Sequence, residues 1–282
     1  MQRLRITHLT EYFFTTQVTL NPHQLLLRPR EGHDVRIESS KLTISPDYSI
    51  KWQRDVFGNS LAIVNFHGCS NKLTIASEVI IQHYEVEPFD FLLETYAVNY
   101  PFSYKAGEQI DLAPFQQAGF LKDHCSIQDW LLRLDLQGME TFALLMKLNQ
   151  SISRQFRYQT REESGVQSPA RTLNQGSGSC RDYATLFIEA CRSLGLASRF
   201  VSGYLHAPST EAGNATTHAW VEIYLPGAGW KGFDPTSGEL TGNRHIAVAV
   251  ARDPETIPPV SGSFIGRDAA MMRVNVQVNL LE

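Results

Sequence analysis

Gly176-Ser177-Gly178-Ser179-Cys180-Arg181-Asp182-Tyr183-Ala184 decides how this chain is read, because it passes from a Gly/Ser loop straight into a helical apolar pattern. Ala184, Phe187, Ile188, Cys191 and Leu194 recur at helix spacing, which predicts a helix with Cys180 in its first turn. A helix N-terminus offers unpaired backbone N–H groups and a partial positive charge, and both favour thiolate over thiol. The small residues before Cys180 leave room for a substrate backbone to approach the sulfur. Cys180 is therefore a candidate nucleophile, although a cysteine at a helix start is also a common small packing residue.

Downstream, Ser198 to Tyr204, His218 to Leu225 and Trp230 to Phe233 read as strands, with Pro226-Gly227-Ala228-Gly229 as a turn between the last two. Folding that hairpin brings His218 to within a couple of residues of Asp234. His218, Trp220, Glu222 and Tyr224 share one strand face, so an Asp234 pointing to that face reaches the imidazole. Cys180, His218 and Asp234 then fill the three roles of nucleophilic acyl transfer: nucleophile, base and the group that orients the base. The backbone N–H of Cys180 is one natural oxyanion donor; a second is not evident, with Asn174 and Gln175 as candidates. Taken singly, a histidine leading an aromatic strand is often a packing residue and Asp-Pro is often a turn. The weight rests on the three in order.

A resemblance adds to this. Gly178 to Ala184, Leu194-Gly195-Leu196, Val201-Ser202-Gly203-Tyr204, His218-Ala219-Trp220-Val221-Glu222, Gly229-Trp230 and Asp234-Pro235-Thr236 resemble the core of the transglutaminase-like superfamily. Leu25 to Arg30 and Asp55 to Asn59 resemble the N-terminal β-domain of bacterial transglutaminase-like proteins, and Arg252-Asp253 with Ile257 to Gly262 resembles their C-terminal segment. The resemblance implies a papain-like α+β core in a thiol enzyme of the cysteine-protease type. It gives Cys180 as nucleophile, His218 as base and Asp234 as its orienting acid.

The first hundred residues predict strands: Val35 to Ile44, Tyr48 to Trp52, Leu61 to Phe66 and Leu73 to Tyr84, punctuated by Gly58-Asn59 and Ser70-Asn71. This reads as an antiparallel β-sandwich over residues 1–105, followed by a catalytic domain over 106–282. Ser126 is placed as a helix cap, and a second helix after Gly138 carries Phe142, Met146, Asn149, Ile152, Ser153 and Phe156 on one face. Gln159 to Ser179 reads as a loop. Asp182 reads most simply as an exposed helix-start carboxylate, with pairing to a neighbouring Arg or a place in the cleft as the alternatives; Cys191 reads as packing, Cys69 as a turn residue and His206 as a loop residue open to a substrate contact. Trp220 and Trp230 are candidate walls of an acyl-binding groove.

Composition sets the class. The chain has 282 residues, 43% hydrophobic and 19% charged, with net charge −4. Its basic residues do not cluster, so no nucleic-acid groove is indicated. No apolar run approaches the roughly 20 residues of a membrane helix, and the N-terminus lacks a signal-peptide core, so a cytoplasmic protein with no membrane partner is expected. The triplets Asn149-Gln150-Ser151 and Asn214-Ala215-Thr216 are accordingly read as chance matches to a glycosylation site. Four dispersed cysteines without a CxxC pair argue for reduced thiols, no structural zinc and no cofactor; calcium has no acidic cluster to hold it. The expected activity is thiol acyl transfer on a peptide or protein substrate, hydrolytic in outcome. The alternatives are amine transfer (transglutaminase or transpeptidase) and a catalytically silent binding module. Oligomeric state is not readable.

Overall fold

The computed structural model describes residues 1–84, 89–161, 163–206, 217–267 and 270–281; the Asn214 triplet lies outside them. The chain opens with β1 (Gln2–Leu20), β2 (His23–Leu25), β3 (Val35–Ser45), β4 (Tyr48–Arg54), β5 (Ser60–Phe66) and β6 (Cys69–His83). Two antiparallel sheets result: β1 pairs β6 and β6 pairs β3 in one, while β2 pairs β5 and β5 pairs β4 in the other. Alternation explains the layering, since odd-numbered residues of β6 from Leu73 to His83 all point inward. One face of β6 serves two cores. Leu73 and Ile75 pack with Leu25, Ala62 and Val64 inside the sandwich. Val79 and Ile81 pack instead with the helices and sheet that follow. Each fully buried Ile or Leu along this face contributes about 2 kcal/mol.

Then come α1 (Ala106–Gln116), α2 (His124–Arg133), α3 (Thr141–Gln155), β7 (Arg157–Tyr158), α4 (Pro169–Gln175), β8 (Ser177–Gly178) and α5 (Cys180–Ser193). The helix α2 begins ahead of Ser126, which lies inside it rather than capping it; Asp123 precedes it and its carboxylate accepts from the Ala170 N–H at 2.9 Å. In α3 the fully buried side is Leu144, Leu145, Leu148, Asn149 and Ile152, with Phe142 and Met146 at its margin. The stretch read as a loop holds α4. Ser168 caps it, accepting from the Arg171 N–H at 3.3 Å; Pro169 opens it and Gly176 closes it at φ 60°.

The second layer is a five-stranded antiparallel sheet of β9 (Ser198–Leu205), β10 (Thr217–Leu225), β11 (Gly229–Asp234), β12 (Glu239–Leu240) and β13 (His245–Ala251), in the order β12-β11-β10-β9-β13. Ala219, Val221, Ile223 and Leu225 of β10 share a core with Ala184, Phe187 and Cys191 of α5, the central helix. The chain ends with β14 (Val260–Ser261), β15 (Phe264–Ile265) and β16 (Met271–Leu281). These return to the first sheets: β14 pairs β2, and β15 and β16 pair β1, with Arg3 opposite Leu281 and Phe13 opposite Met271. A division at residue 105 thus leaves three strands of the first part's sheets at the far end of the chain. Among the described residues no helix is long and apolar enough to cross a membrane.

Candidate active site

Cys180 is placed by the cap of α5. The Asp182 carboxylate is fully buried and accepts from the Ser179 N–H and Ser179 Oγ, each at 2.8 Å, and from the Gln167 N–H at 2.7 Å. Arg161 closes the arrangement with an ion pair at 2.7 Å. Ser179 and Asp182 form a reciprocal capping box, which fixes the first turn and the backbone N–H of Cys180 with it. A Cβ at Gly178 would press on Asp182, so the close approach needs glycine there. Burial alone would raise the Asp182 pKa; the N–H donors outweigh it and hold the carboxyl below its ordinary value. This residue is no exposed helix-start carboxylate. It ties Arg161 and Gln167 to the nucleophile's helix, and Arg161 is the arginine partner of the alternative reading.

The hairpin supplies the partners. Val221 pairs with Phe233, which sets Asp234 beside the start of β10. There His218 Nε2 lies 2.9 Å from Asp234 Oδ2, both side chains being buried. His218 stands opposite Gly203 of β9, where a Cβ would overlap the Trp220 ring and the Ile246 carbonyl. Glycine at 203 thus lets Trp220 lie across the strand, its ring centroid 6.2 Å from that of His218. The structure brings Cys180, His218 and Asp234 together: His218 bonds Asp234 through Nε2, and the Cys180 thiol interacts with the same imidazole.

The charges support one another. Burial opposes ionisation of His218, but Asp234 and Cys180 outweigh it and push the imidazole up to about 10. Burial would raise the Cys180 thiol; His218, the Ala219 backbone and Arg181 bring it below its ordinary value. For Asp234 burial is likewise overcome, by His218 and His245, and the carboxyl is held far below the carboxylate range. The three shifts thus favour the same set of charges: thiolate, imidazolium and carboxylate.

Two further residues join the site. His245, at the start of β13, places Nε2 3.2 Å from the same Asp234 oxygen, while its Nδ1 faces the Gly242 N–H at 3.4 Å. That second contact leaves the Nε2 proton to be donated to Asp234. The Thr236 N–H donates to the other carboxylate oxygen at 2.9 Å. Tyr158, on β7, pairs opposite Gly178 of β8, two residues ahead of Cys180, and its ring meets that of Tyr183 edge-on at 6.2 Å. Among the described residues His218, Asp234 and His245 are the group whose ligand atoms are close enough to hold a metal ion, all within 4.8 Å of one another. Both ring nitrogens already bond the carboxylate, which suits a proton-sharing network as it stands.

A cleft of about 610 Å³ opens over Cys180 and His218. It is lined by Arg181, Phe200 and Ser202, and by Tyr12 with Pro254, Glu255 and the run Ile257 to Gly262, which contains β14. Asn174 and Gln175, the candidates for a second oxyanion donor, are exposed at the end of α4 and do not line this cleft. Neither does His206, whose backbone N–H donates to the Arg244 carbonyl. Trp220 and Trp230 line a separate cavity of about 260 Å³, and Trp230 stacks under Arg199 at 4.1 Å. Cys191 is fully buried in the core, while Cys69 and Cys125 are exposed free thiols.

Residues 133–235, which contain Cys180, His218 and Asp234, match the transglutaminase-like superfamily, and residues 4–82 match the bacterial transglutaminase-like N-terminal region. The chain thus carries a transglutaminase-like core at residues 133–235, behind a bacterial transglutaminase-like N-terminal region at residues 4–82. An uncharacterized protein of Mycobacterium tuberculosis is 28% identical over 298 residues, covering 98% of this chain and 92% of that one. A protein-glutamine gamma-glutamyltransferase of Pseudomonas aeruginosa is 38% identical over 66 residues, 21% of this chain and 10% of the relative. In fold, the chain is similar throughout to the crystal structure of a "putative cysteine protease" from Cytophaga hutchinsonii, at TM-score 0.76 and 17% identity, covering 100% of this chain and 91% of that one.

Proposed function

We propose that this chain is a cysteine-dependent acyl-transfer enzyme acting on peptide or protein amides, with Cys180 as nucleophile, His218 as general base and acid, and Asp234 as the group that orients His218. The observation that carries this is the buried Asp234–His218 bond at 2.9 Å, on an imidazole that also faces a thiol at a helix N-terminus. The thiolate attacks the amide carbonyl and a C–S bond forms. As the tetrahedral intermediate collapses, the C–N bond breaks and His218 gives its proton to the leaving amine. The resulting thioester is then attacked by water, with His218 taking the water's proton; the C–S bond breaks, and thiolate and imidazolium return. An amine acceptor in place of water gives transfer instead.

Hydrolysis is the favoured outcome. Water is present at roughly 55 M, so a transferase needs a site that holds its amine. The cleft wall of Ile257, Pro258, Pro259 and Val260 is apolar and suits the side chains of an extended peptide. The test is mass analysis of a peptide mixture incubated with the protein and a primary amine, with Cys180→Ala as control. New peptide termini establish hydrolysis, and amine incorporated with loss of ammonia establishes transfer. Identical products from Cys180→Ala would remove the proposal.

A further inference from the structure

A strand at the edge of a sheet carries main-chain groups that its own sheet leaves unused. The strand β14 is such an edge: its sheet runs β14-β2-β5-β4, so β2 covers one side of it. In an antiparallel pair, residues that bond across the ladder alternate with residues whose N–H and C=O point the other way. The Leu26 N–H donates to the Pro259 carbonyl at 2.9 Å, and the register sets Val260 opposite Leu25 and Ser261 opposite Gln24. Pro259 and Ser261 therefore face β2, while the N–H and C=O of Val260, between them, face away. Among the described residues no main-chain group meets them there. The Val260 side chain is engaged elsewhere, packing on the sandwich core of Leu25, Ala62 and Val64. Yet Val260 lines the same cleft as Cys180 and His218. The free edge and the nucleophile thus open on one space.

We infer that β14 is the substrate-binding strand: a peptide lies extended in the cleft and pairs with Val260, its carbonyl accepting from the Val260 N–H and its N–H donating to the Val260 C=O. This rests on the acyl-transfer reading above and names the substrate class, an unfolded segment read through its main chain. A helix cannot bind this way, because its own N–H groups are already bonded, and neither can a proline at the paired position. Upstream, Pro258 and Pro259 have no N–H to offer, so the pairing is short and centred on Val260. The edge is held ready for it. On one side β2 bonds it, and Gly262 brings the chain against the His23 ring, where a Cβ would overlap. Val260 lies beyond both matched regions, 4–82 and 133–235, so the returning C-terminal segment supplies what the core lacks.

The test uses two activated esters. Acetyl-trialanine p-nitrophenyl ester carries peptide groups with small side chains, and p-nitrophenyl acetate carries no peptide group. With each, the Cys180 thiolate forms a C–S bond, the ester C–O bond breaks and p-nitrophenolate leaves. The ratio of the two acylation rates, corrected by the same ratio toward N-acetylcysteine, reads the pairing. Val260→Pro removes the N–H without touching the ladder to β2, of which that N–H is no part. It should lower the ratio about fivefold, the worth of one hydrogen bond. In wild type, N-methylation of each tripeptide amide in turn should lower the ratio about fivefold at one position and little at the others. A wild-type ratio no higher than that toward N-acetylcysteine overturns the inference. So does an N-methyl series with no position-specific loss, however Val260→Pro folds. If wild-type Cys180 is alkylated by iodoacetamide but acylated by neither ester, the acyl-transfer reading falls first and the substrate strand with it.

Discussion

At the scale of single residues, proton placement governs the site. His218 titrates near 10 in the folded chain against an ordinary 6.5. The stabilisation from its charged form is therefore complete below pH 6.5 and is lost as pH rises through about 10. Cys180 runs the other way: its thiolate stabilises above the ordinary thiol range, and this is lost as pH falls through its lowered pKa. Reactivity that needs both charges occupies the window between, with its alkaline limb near 10. His245 belongs to this balance although it lies beyond the matched core residues 133–235. Its Nε2 donates to Asp234, so it positions the acid that positions His218. His245→Leu should move the acid limb of Cys180 alkylation upward and lower acyl transfer about tenfold. His245→Gln, which keeps an N–H donor, should restore most of both. Equal loss in the two variants would reduce His245 to a packing residue.

At the scale of elements, the N-terminus of α5 is the most heavily braced part of the site. Among the described residues, Asp182→Ala would leave Arg161, whose side chain is 10% exposed, with the solvent-facing Glu163 as its ion-pair partner. The expected loss is about 3 kcal/mol in urea unfolding, with slower Cys180 alkylation because the cap no longer holds the first turn. A loss below about 1 kcal/mol would mean that the cap is not what fixes the nucleophile. The helix α5 and the β10–β11 hairpin are legible in the sequence because their signals are local: apolar spacing within one helix, and a Pro-Gly turn between alternating strands. Asp234 is legible for the same reason, since the hairpin fixes its register. Tyr158 and His245 are not. The first depends on a two-residue parallel pairing between segments twenty residues apart, and the second on the β12–β13 connection curling back toward β11. The stretch before Cys180 is a mixed case: Ser168-Pro169 and Gly176 mark both ends of α4, but its polar residues hide the helix.

At the scale of the whole molecule, the two parts share one core. Leu4 and Ile6 of β1, Val79 and Ile81 of β6, and Val276 and Val278 of β16 share a core with Phe187 and Ile188 of α5. His8 and Tyr204 join the first sheet to β9 at 3.1 Å, and Asn59 holds the backbone of Val250 at 2.8 and 2.9 Å. Such an arrangement depends on the return of β14–β16, which local sequence patterns do not announce because the pairing with β1 spans nearly the whole chain. Thermal unfolding should accordingly show one transition, with amides of β1 and α5 exchanging hydrogen through the same global opening; two separated transitions would divide the unit. Because the cleft lies between the core and the Pro254–Gly262 segment, an intact fold is also a condition for the chemistry. The central claim is that this fold assembles an activated thiol, and it is tested most directly by the rate of Cys180 alkylation against pH in wild type and His218→Ala, with the modified residue identified by mass. The account predicts a wild-type acid limb well below the roughly 8.5 of an isolated thiol, moved up to ordinary reactivity in the variant. Ordinary reactivity in both proteins would contradict it.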